Sequence, residues 1–551
     1  MKVRILSILL VLCFLIALPA CTSKDAGPSN PTTAAASSGS APAEDKNVLP
    51  YKGDEVTISM LGWASYKDLE PETLFGKWFQ EKLGKIKLDI EIPVADDAGM
   101  TQKCDLYLAS GDMPDIMVYR DAEKFMRAYG DGSVTLNLLD YAKYMPEYTE
   151  RRKTFPHLSW FDKDNKAYLF FPSWYDGTSE TWFQNQDLMT KYNLKTPTNY
   201  DELLQCLDTV KKGEPKNVGL LFHGWGFEYQ YTCFSQLFGS LGRSPGTMVF
   251  DYNKNKWVFA LKEYSDIYYN ATKAMADAYA KGFIAKDFIT MPGDVWTNTR
   301  NNGDYLFTFL YNNISKSDYE STYIAKPVYI DPPAATGVKP SVRTDYTSDV
   351  VGWGYVISKK AKNPELCASI LDLIGSKETA NTYYWGWEGD TYKVNAEGKK
   401  EYNPDFLKLP KEDSEKKYGI MTYPYVFMPM FSMCYAGDAV MSSWSDESRR
   451  GTEIASKKLK SGEYETYYGA SNPTLSDDAT EKYGTLSTAV RTYVNETLTA
   501  FVLGSKNLSG WDAFVNSVKD YGDIDWAVEQ FNAAPQKPAK ALQSQRNYIT
   551  P

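Results

Sequence analysis

The chain has 551 residues, a formal net charge of −10 and an aromatic content of 15%, with 14 Trp and 41 Tyr. Acidic and basic residues are mixed along its length and form no basic stripe, which argues against nucleic-acid binding. About 500 residues follow a short N-terminal region, and that length suits two lobes with a core each.

Cysteine and histidine are too scarce for most metal sites. The cysteines beyond the N-terminal region are Cys104, Cys206, Cys233, Cys367 and Cys434. This odd, scattered set argues against a disulfide framework and against zinc, so we expect buried thiols. Only His157 and His223 could serve a His-based triad or metal site, and residues 211–217 lack the oxygen ligands of a calcium loop. We expect neither a metal nor a cofactor.

The N-terminus has the pattern of an export signal. Two basic residues precede an apolar run over residues 5–18, which is too short for a stable membrane span. The following Leu18-Pro19-Ala20-Cys21 resembles a bacterial lipobox, although its proline departs from the usual pattern. We predict a signal peptide over residues 1–20, lipid attachment at Cys21 and a flexible linker over residues 21–50. Ordinary cleavage followed by secretion is the alternative.

The first predicted elements alternate between strand and helix. The pattern predicts a strand over residues 56–61, a helix over 72–83, a strand over 87–93 and a second helix that ends at a turn. This β-α-β-α-β order implies a parallel or mixed sheet with helices on its faces. Ligands of such sheets bind beyond the carboxyl ends of the strands, where we expect Trp63 and Asp112.

Residues 105–119, DLYLASGDMPDIMVY, read as the end of a helix, a polar turn and a short buried strand. Gly111 gives the turn backbone freedom, and Pro114 favours an extended chain after it. The apolar residues 116–118 then form the strand. An ordinary helix–turn–strand junction would show the same pattern, with Asp112 acting only as a cap.

The middle of the chain predicts a second lobe. We expect strands over residues 165–172, 183–185, 218–222 and 304–309, a hairpin of 249–251 with 257–259, and helices over 228–238 and 267–281. Thr198 is expected to cap a helix, with Asp201 at the capping-box position. Aromatic residues stand at the ends of these strands or beside them: Trp174, Tyr175, Trp225 and Trp296.

The last third of the chain is expected to return to the first lobe over residues 349–360, which include Trp353. A helix opens at Asn363-Pro364. The next segment, YWGWEGDTY at 384–392, contributes Trp385, Trp387 and Glu388. Near the C-terminus, Ser509 is expected to cap a helix that packs in the second lobe.

Six segments are similar, in the same order, to those of bacterial extracellular solute-binding proteins of the family 1 type. They are SGDMPDI at 110–116, the strand at 165–172, QDLMTKYNLKTPTNYDEL at 186–203, SKKAKNPE at 358–365, YWGWEGDTY at 384–392 and SGWDAFV at 509–515. The chain resembles the long, LipO-like lipoprotein subgroup of carbohydrate ABC importers, over nearly all of its mature length.

The resemblance implies a periplasmic-binding-protein-like α/β fold, in which a hinge joins two lobes around a ligand cleft. Lobe 1 would comprise residues 51–172 with about 350–410, and lobe 2 about 173–349 with about 411–551. It also implies a monomeric receptor, not an enzyme, that is lipid-anchored on the outer face of the cell membrane. Such a receptor delivers its solute to the permease subunits of an ABC importer. The aromatic excess suits an oligosaccharide, because aromatic faces match sugar rings.

Ligand contacts are expected from these residues: Trp63, Asp112, Trp174, Tyr175, Trp225, Trp296, Trp353, Trp385, Trp387 and Glu388. A position in the core is the alternative for each Trp, and a surface ion pair is the alternative for Glu388. The competing function is a secreted carbohydrate-active enzyme, a glycoside hydrolase or polysaccharide lyase. A glycoside hydrolase would need two carboxylates at a defined separation. A purely structural cell-surface protein would not need so many Trp residues at strand ends.

Overall fold

The computed structural model describes residues 47–62, 70–91, 97–119, 122–154, 156–159, 161–171, 179–223, 226–312, 314–316, 318–344, 354–420, 437–466 and 472–536. These residues belong to one unit, Lys46–Pro551. The predicted signal peptide, the lipid attachment at Cys21 and most of the predicted linker lie outside them. Within the described ranges, no helix is both long enough and apolar enough to cross a membrane.

Strands and helices follow one another along the whole described chain. The strands are β1 (Tyr51–Leu61), β2 (Gly84–Glu91), β3 (Ile116–Tyr119), β4 (Ser179–Asn185), β5 (Val218–Leu221), β6 (Met248–Asp251), β7 (Lys256–Phe259), β8 (Tyr305–Tyr311), β9 (Pro327–Ile330), β10 (Arg343–Thr344), β11 (Gly354–Ile357), β12 (Tyr392–Val394) and β13 (Lys400–Tyr402). The helices are α1 (Leu74–Leu83), α2 (Asp97–Ser110), α3 (Ala122–Tyr129), α4 (Pro146–Thr154), α5 (Gln186–Lys191), α6 (Tyr200–Gly213), α7 (Phe227–Ser235), α8 (Ala260–Glu263), α9 (Ser265–Ala280), α10 (Gly293–Asn302), α11 (Pro364–Ile374), α12 (Lys377–Trp385), α13 (Pro404–Leu407), α14 (Lys411–Tyr418), α15 (Gly437–Ser442), α16 (Asp446–Ser461), α17 (Asp477–Val502), α18 (Trp511–Ser517) and α19 (Ile524–Ala533).

The first sheet has the strand order β11-β3-β1-β2. β1 lies parallel to β2 and β3, whereas β11 lies antiparallel to β3. α1 connects β1 to β2 and α2 connects β2 to β3, which confirms the predicted β-α-β-α-β order. Every side chain of β3 is buried, as is typical of a strand that is covered on both faces.

A carboxylate in the turn before β3 holds this strand against β1. Asp115 Oδ2 accepts hydrogen bonds from the backbone N–H of Ser59 at 2.9 Å and from its hydroxyl at 2.8 Å. The backbone N–H of Asp115 donates in return to Ser59 Oγ at 3.0 Å. These contacts stand next to the paired residues Met60 and Ile116 and fix their register. The motif at 110–116 therefore aligns two strands.

The second sheet has the strand order β10-β4-β8-β5, and β9 also pairs with β4. β5 lies parallel to β8, whereas β4 is antiparallel to both β8 and β9. The predicted hairpin is confirmed as β6 and β7, and the predicted helix over 267–281 is confirmed as α9. The sheet is therefore mixed, like the first.

The two largest hydrophobic cores divide the described chain into two lobes. The first core combines residues from Ile58 to Phe171 with residues from Tyr355 to Trp444, and we call this part lobe 1. The second core, in lobe 2, runs from Trp182 to Ile330 and from Leu486 to Phe531. Because Tyr418, Ile420 and Trp444 pack in the first core, we place the end of lobe 1 after Trp444 rather than near residue 410.

A buried carboxylate of α11 caps α4. Asp372 accepts hydrogen bonds from the backbone N–H groups of Glu147 at 3.2 Å and Tyr148 at 2.7 Å, in the first turn of α4. It thereby satisfies donors that a helix leaves without intrahelical partners. Burial raises the pKa of Asp372 to about 6, although these two N–H groups and Arg151 act in the opposite direction.

Arg151 of α4 fixes the point where the chain leaves lobe 1. Its side chain is fully buried and donates hydrogen bonds to the carbonyl oxygens of Gly375 at 2.9 Å and Phe171 at 2.8 Å. The guanidinium carbon also lies 4.8 Å from the ring centroid of Phe170. Phe171 is the last described residue before the chain crosses to β4, so α4 and α11 together position the start of that crossing.

Three local predictions were wrong. Of the predicted strand over 165–172, the described residues 165–171 form no regular strand, and isolated bridges join Lys166 to Lys163 and Phe170 to Tyr355. Asn199 caps α6 in place of Thr198, because the Glu202 carboxylate accepts the N–H and hydroxyl of Thr198. Near the C-terminus, the side chain of Asn507 caps the 3₁₀ segment Leu508–Gly510, a role that we expected of Ser509 at the start of the next helix.

Replacing Asp115 by Ala should lower the free energy of unfolding by about 2–3 kcal/mol, because Ser59 then loses a charged acceptor for both of its donors. Urea unfolding measures the effect. Asp112→Ala is the matched control, since this carboxylate is exposed in the same turn and its loss should cost less than about 0.5 kcal/mol. Equal losses in the two variants would contradict the role of Asp115 in strand alignment.

Replacing Asp372 by Asn should change the pH dependence of stability. The folded chain protonates Asp372 near pH 6, above the unfolded value of 3.8, so a fall in pH through this window favours the folded state. Asn does not bind this proton, so the variant lacks this gain in stability. The free energy of unfolding of the wild type, minus that of the variant, should therefore rise by about 2 kcal/mol from pH 7 to pH 4. Urea unfolding at several pH values tests this, and a constant difference would contradict it.

Candidate functional site

The carboxyl ends of the parallel strands define one edge of the first sheet. β1 ends at Leu61, β2 at Glu91 and β3 at Tyr119. β11 runs in the opposite direction and therefore starts at this edge, with Gly354 paired to Tyr119. Open α/β sheets bind ligands beyond such an edge. This edge is the lobe 1 side of the candidate site.

The second sheet has a matching edge. β5 ends at Leu221 and is followed by His223, and β8 ends at Tyr311 in the same direction. The antiparallel β4 starts there, with Glu180 opposite Tyr311. This edge is the lobe 2 side of the candidate site.

Two crossings join one edge to the other. The chain leaves Phe171, next to the bridge with β11, and reaches the start of β4 at Ser179, which limits the separation to about 28 Å. It returns from Thr344, paired with Ser179, to the start of β11 at Gly354, a span of at most about 35 Å. Each crossing therefore runs between the carboxyl ends of the two sheets.

The two lobes also contact each other directly, in addition to the two crossings. Trp444 is buried in the first core, yet its backbone forms a bridge with Ser315, shortly after the end of β8. The N–H of Lys316 donates to the Ser443 carbonyl at 3.0 Å, and the N–H of Ser445 donates to the Ile314 carbonyl at 2.8 Å. The junction between the lobes thus lies at the edge where β8 ends. Lobe 1 therefore contacts lobe 2 at the lobe 2 side of the candidate site.

Aromatic and charged side chains cluster at the lobe 2 edge. We name Glu180, His223, Tyr229, Trp296 and Arg300 the edge cluster. The rings of His223 and Trp296 lie 4.1 Å apart, those of His223 and Tyr229 lie 6.3 Å apart, and the Arg300 guanidinium lies 4.7 Å from the Trp296 ring. β4, β5, α7 and α10 each contribute to it, because all four have an end at this edge.

Glu180 is the buried carboxylate of the edge cluster. Its side chain is fully buried, and its Oε1 accepts a hydrogen bond from the hydroxyl of Tyr229. Tyr229 lies in the first turn of α7, the helix that follows β5 in the chain. A buried carboxylate needs such donors, because burial without them is costly. The pair therefore locks the start of α7 to the start of β4.

His223 is held in its neutral form. Its pKa is lowered to about 4, first by burial and second by the positive charge of Arg300. At neutral pH the imidazole therefore carries no charge. A neutral imidazole packed against Trp296 is better suited to contact a polar, uncharged ligand than to act as an acid or base near pH 7.

The loop after α12 lies at the lobe 1 edge. α12 runs antiparallel to α1, since Lys82 pairs with Glu378 at 2.5 Å and the rings of Phe75 and Tyr383 lie 5.2 Å apart. Because α1 starts beyond the carboxyl end of β1, the end of α12 also lies on that side. Trp387 and Glu388 follow α12, as half-buried and exposed residues respectively. Their predicted position near the edge is consistent with this packing.

A cavity of about 490 Å³ lies beside this loop. Its lining includes Asp390, Asp405, Phe406, Asp413, Lys417 and Tyr418. The hydroxyl of Tyr418 donates to Asp390 Oδ1 at 2.8 Å, and the ring of Tyr418 is stacked with that of Trp387 at a centroid distance of 6.3 Å. The cavity therefore combines carboxylates with an aromatic wall, which suits hydroxyl-rich ligands.

Two of the residues expected to bind ligand lie elsewhere. Trp385 is 1% exposed and packs in the first core against Tyr402, at a centroid distance of 4.8 Å, so it offers almost no surface to a ligand. Asp112 is exposed at the amino end of β3, and not at the carboxyl end that we expected, because α2 delivers the chain to the start of this strand. We withdraw both from the site.

Half of the expected ligand residues lie outside the described part of the chain: Trp63, Trp174, Tyr175, Trp225 and Trp353. Trp296 lies in the edge cluster. Its ring packs against that of His223, which we did not predict to bind ligand. Glu180, Tyr229 and Arg300 were also missed. His223 had a usable signal, because it directly follows a predicted strand, whereas the pairing of Glu180 with Tyr229 has no local signal in the sequence.

Metal ligation has little structural basis in the described residues. They contain no group of three or more His, Cys, Asp or Glu side chains that could hold a metal ion. The buried thiols predicted at Cys104, Cys206, Cys233 and Cys367 are confirmed, whereas Cys434 lies outside the described part.

Comparison with known proteins decides the family. Residues 72–381, more than half of the chain, match the model of the bacterial extracellular solute-binding protein family. The chain belongs to this family. No curated protein matches its sequence.

Solved structures of sugar-binding members share the fold of this solute-binding protein. The alginate-binding protein AlgQ2, without calcium ion, is 20% identical with a TM-score of 0.67, over 88% of this chain and 98% of that chain. The Streptococcus pneumoniae substrate-binding protein FusA, in complex with kestose, is 17% identical with a TM-score of 0.65, over 89% and 100%. An HMO-binding protein from Bifidobacterium longum infantis is 14% identical with a TM-score of 0.64, over 90% and 100%. These resemblances establish the periplasmic-binding-protein-like fold.

Replacing Tyr229 by Phe should lower the free energy of unfolding by about 1–3 kcal/mol, because the buried carboxylate of Glu180 loses the hydroxyl that donates to it. Urea unfolding gives the value. Tyr521→Phe is the control: its ring is 47% exposed, so removal of its hydroxyl should change stability by less than about 0.5 kcal/mol. A Tyr229 variant as stable as this control would contradict the pairing with Glu180.

Proposed function

We propose that this protein captures an oligosaccharide between its two lobes and delivers it, unchanged, to an ABC importer. The observation that carries the proposal is that both crossings run between the carboxyl edges of the two sheets, and that the lobe 2 edge contacts lobe 1 through Ser315 and Trp444. Ligand that touches both edges would favour a closed arrangement of the lobes over an open one. Capture of this kind requires no chemical step.

A sugar is the ligand class that the side chains support best. At the lobe 2 edge the half-buried rings of His223 and Tyr229 lie with the buried Trp296, and at the lobe 1 edge the half-buried Trp387 lies beside a cavity with carboxylates. Aromatic rings match the apolar faces of sugars, and the polar groups around them can bind hydroxyls. The solved relatives named for alginate, kestose and HMO binding support the same class.

The side-chain set of the proposed site combines described residues with expected ones. Trp296, Trp387 and Glu388 stay proposed ligand residues, supported by the packing of Trp296 on His223 and by the position of Trp387 and Glu388 after α12. Trp63, Trp174, Tyr175, Trp225 and Trp353 remain proposed from their positions after strands and in the crossings.

Catalysis is the weaker alternative. A glycoside hydrolase places one carboxylic acid where it can protonate the leaving group. Glu180, the carboxylate of the edge cluster, is fully buried and already accepts a hydrogen bond from Tyr229. This environment favours a structural carboxylate over a general acid.

The wild-type protein should be stabilised by at least one sugar in a panel of kestose, nystose, lacto-N-tetraose, maltotriose and alginate trisaccharide. Ligand at about 100 times its dissociation constant adds about 3 kcal/mol, which a thermal-shift assay detects. Chromatography of each bound sugar then tests for reaction. Recovery of intact sugar supports the receptor, whereas cleaved sugar would establish an enzyme and no shift at all would remove the sugar assignment.

We also propose that the mature chain starts at a lipid-modified Cys21 on the outer face of the cell membrane and acts there as a monomer. The support is the sequence alone: an apolar run over residues 5–18, a lipobox-like motif and a linker. Mass spectrometry of the protein purified from membranes should show two acyl chains on Cys21 or a triacylated form. An unmodified N-terminus in the culture medium would contradict the anchor.

A further inference from the structure

The indole N–H of Trp296 is buried without a hydrogen-bond acceptor among the residues that the structure describes. The side chain is 5% exposed, and its Nε1 has no partner there. Two other buried indoles are satisfied, since Trp257 Nε1 donates to Gln536 at 2.7 Å and Trp511 Nε1 donates to Ser265 at 3.0 Å, whereas Trp385 Nε1 in the first core is not. Buried donors are nearly always paired, because an unpaired one costs free energy. The N–H of Trp296 therefore calls for an acceptor.

The position of Trp296 points to a ligand as the source of that acceptor. The residue lies in the first turns of α10, and its ring packs 4.1 Å from that of His223, two residues after the end of β5. This is the lobe 2 edge that meets lobe 1 at the junction. No strand, helix or loop in the described chain supplies an oxygen to its Nε1 there.

The ring of Trp296 is fixed before any ligand arrives. His223 packs against it, and the Arg300 guanidinium lies 4.7 Å from its centroid and 4.9 Å from the Tyr323 ring. These contacts hold the ring in one orientation, so its N–H needs little rearrangement on binding. A donor that is held in place in this way contributes more to affinity than a mobile one.

We propose that Trp296 Nε1 donates a hydrogen bond to an acceptor oxygen of the bound sugar, and that this bond makes Trp296 a specificity-determining residue of lobe 2. The inference rests on the proposed function. An indole N–H is a donor only, so it reads a hydroxyl or carboxylate oxygen. A site with a buried donor rejects analogues that leave this donor unpaired.

Trp385 provides a matched control within the same chain. Its Nε1 is also buried without an acceptor among the described residues. The ring, however, is enclosed in the first core by Tyr392 and Tyr402, at centroid distances of 5.6 and 4.8 Å. Removal of its N–H makes the same chemical change at a place that we have withdrawn from the site.

The test compares the wild type, Trp296→Phe and Trp385→Phe by calorimetric titration with the sugar panel of the proposed function. Phenylalanine keeps an aromatic ring and removes the N–H. The Trp296 variant should bind about tenfold more weakly, as for the loss of one hydrogen bond, while the Trp385 variant stays within twofold of the wild type. Kestose and alginate trisaccharide separate the two oxygen sources, since only the second carries carboxylates.

A benzothienylalanine at position 296 replaces the N–H by sulfur at nearly constant shape, and it serves if Trp296→Phe does not fold. The same tenfold loss with this residue supports the proposal. Unchanged affinity in either folded Trp296 variant would overturn it, as would equal losses in the Trp296 and Trp385 variants. If the wild type binds no panel sugar, the proposed function fails and this inference fails with it. If the wild type binds a sugar and Trp296→Phe binds it equally well, only this inference is overturned.

Discussion

The hydrogen bonds between Asp115 and Ser59 set the geometry on which the candidate site depends. They join the turn before β3 to β1 and fix the register at which these parallel strands lie. The end of β3, and the start of β11 beside it, are thereby placed relative to the end of β1. The chain leaves for lobe 2 next to this edge, at Phe171, whose carbonyl is held by the buried Arg151. A shift of one residue in this register would displace the crossing and the edge together.

The lobe 2 edge combines aromatic rings with buried polar groups. On lobe 2, the fully buried Glu180 accepts a hydrogen bond from Tyr229, and His223 stays neutral because burial and Arg300 lower its pKa. The rings at this edge therefore present little net charge to a ligand. A binding site of this kind gains affinity from aromatic packing and directed hydrogen bonds, and closure of the lobes would remove water from both. Such a surface fits capture and release better than it fits bond cleavage.

The sequence predicted those helices, turns and strands that depend on residues close together in the chain. The helix, turn and strand over residues 105–119 and the hairpin of β6 with β7 follow from turn residues and apolar periodicity. The predictions failed where packing decides. Trp385 ends a helix that packs across α1, and only that packing turns its ring into the core. The bond between Tyr229 and Glu180 joins residues 49 positions apart, so no sequence window contains it. Asn199 displaced Thr198 as a cap because Glu202 was available to engage Thr198.

On the proposed function, a sugar binds between the lobes and brings them together without reacting. The most direct test is the distance between spin labels at L106C and I324C, two exposed positions in lobes 1 and 2, in a background with Cys434→Ser. The buried native cysteines should remain unlabelled. Pulsed electron paramagnetic resonance with each panel sugar should show a shorter mean distance for the sugar that stabilises the protein, and that sugar should be recovered intact. An unchanged distance with a sugar that binds, or recovery of cleaved sugar, would contradict the account.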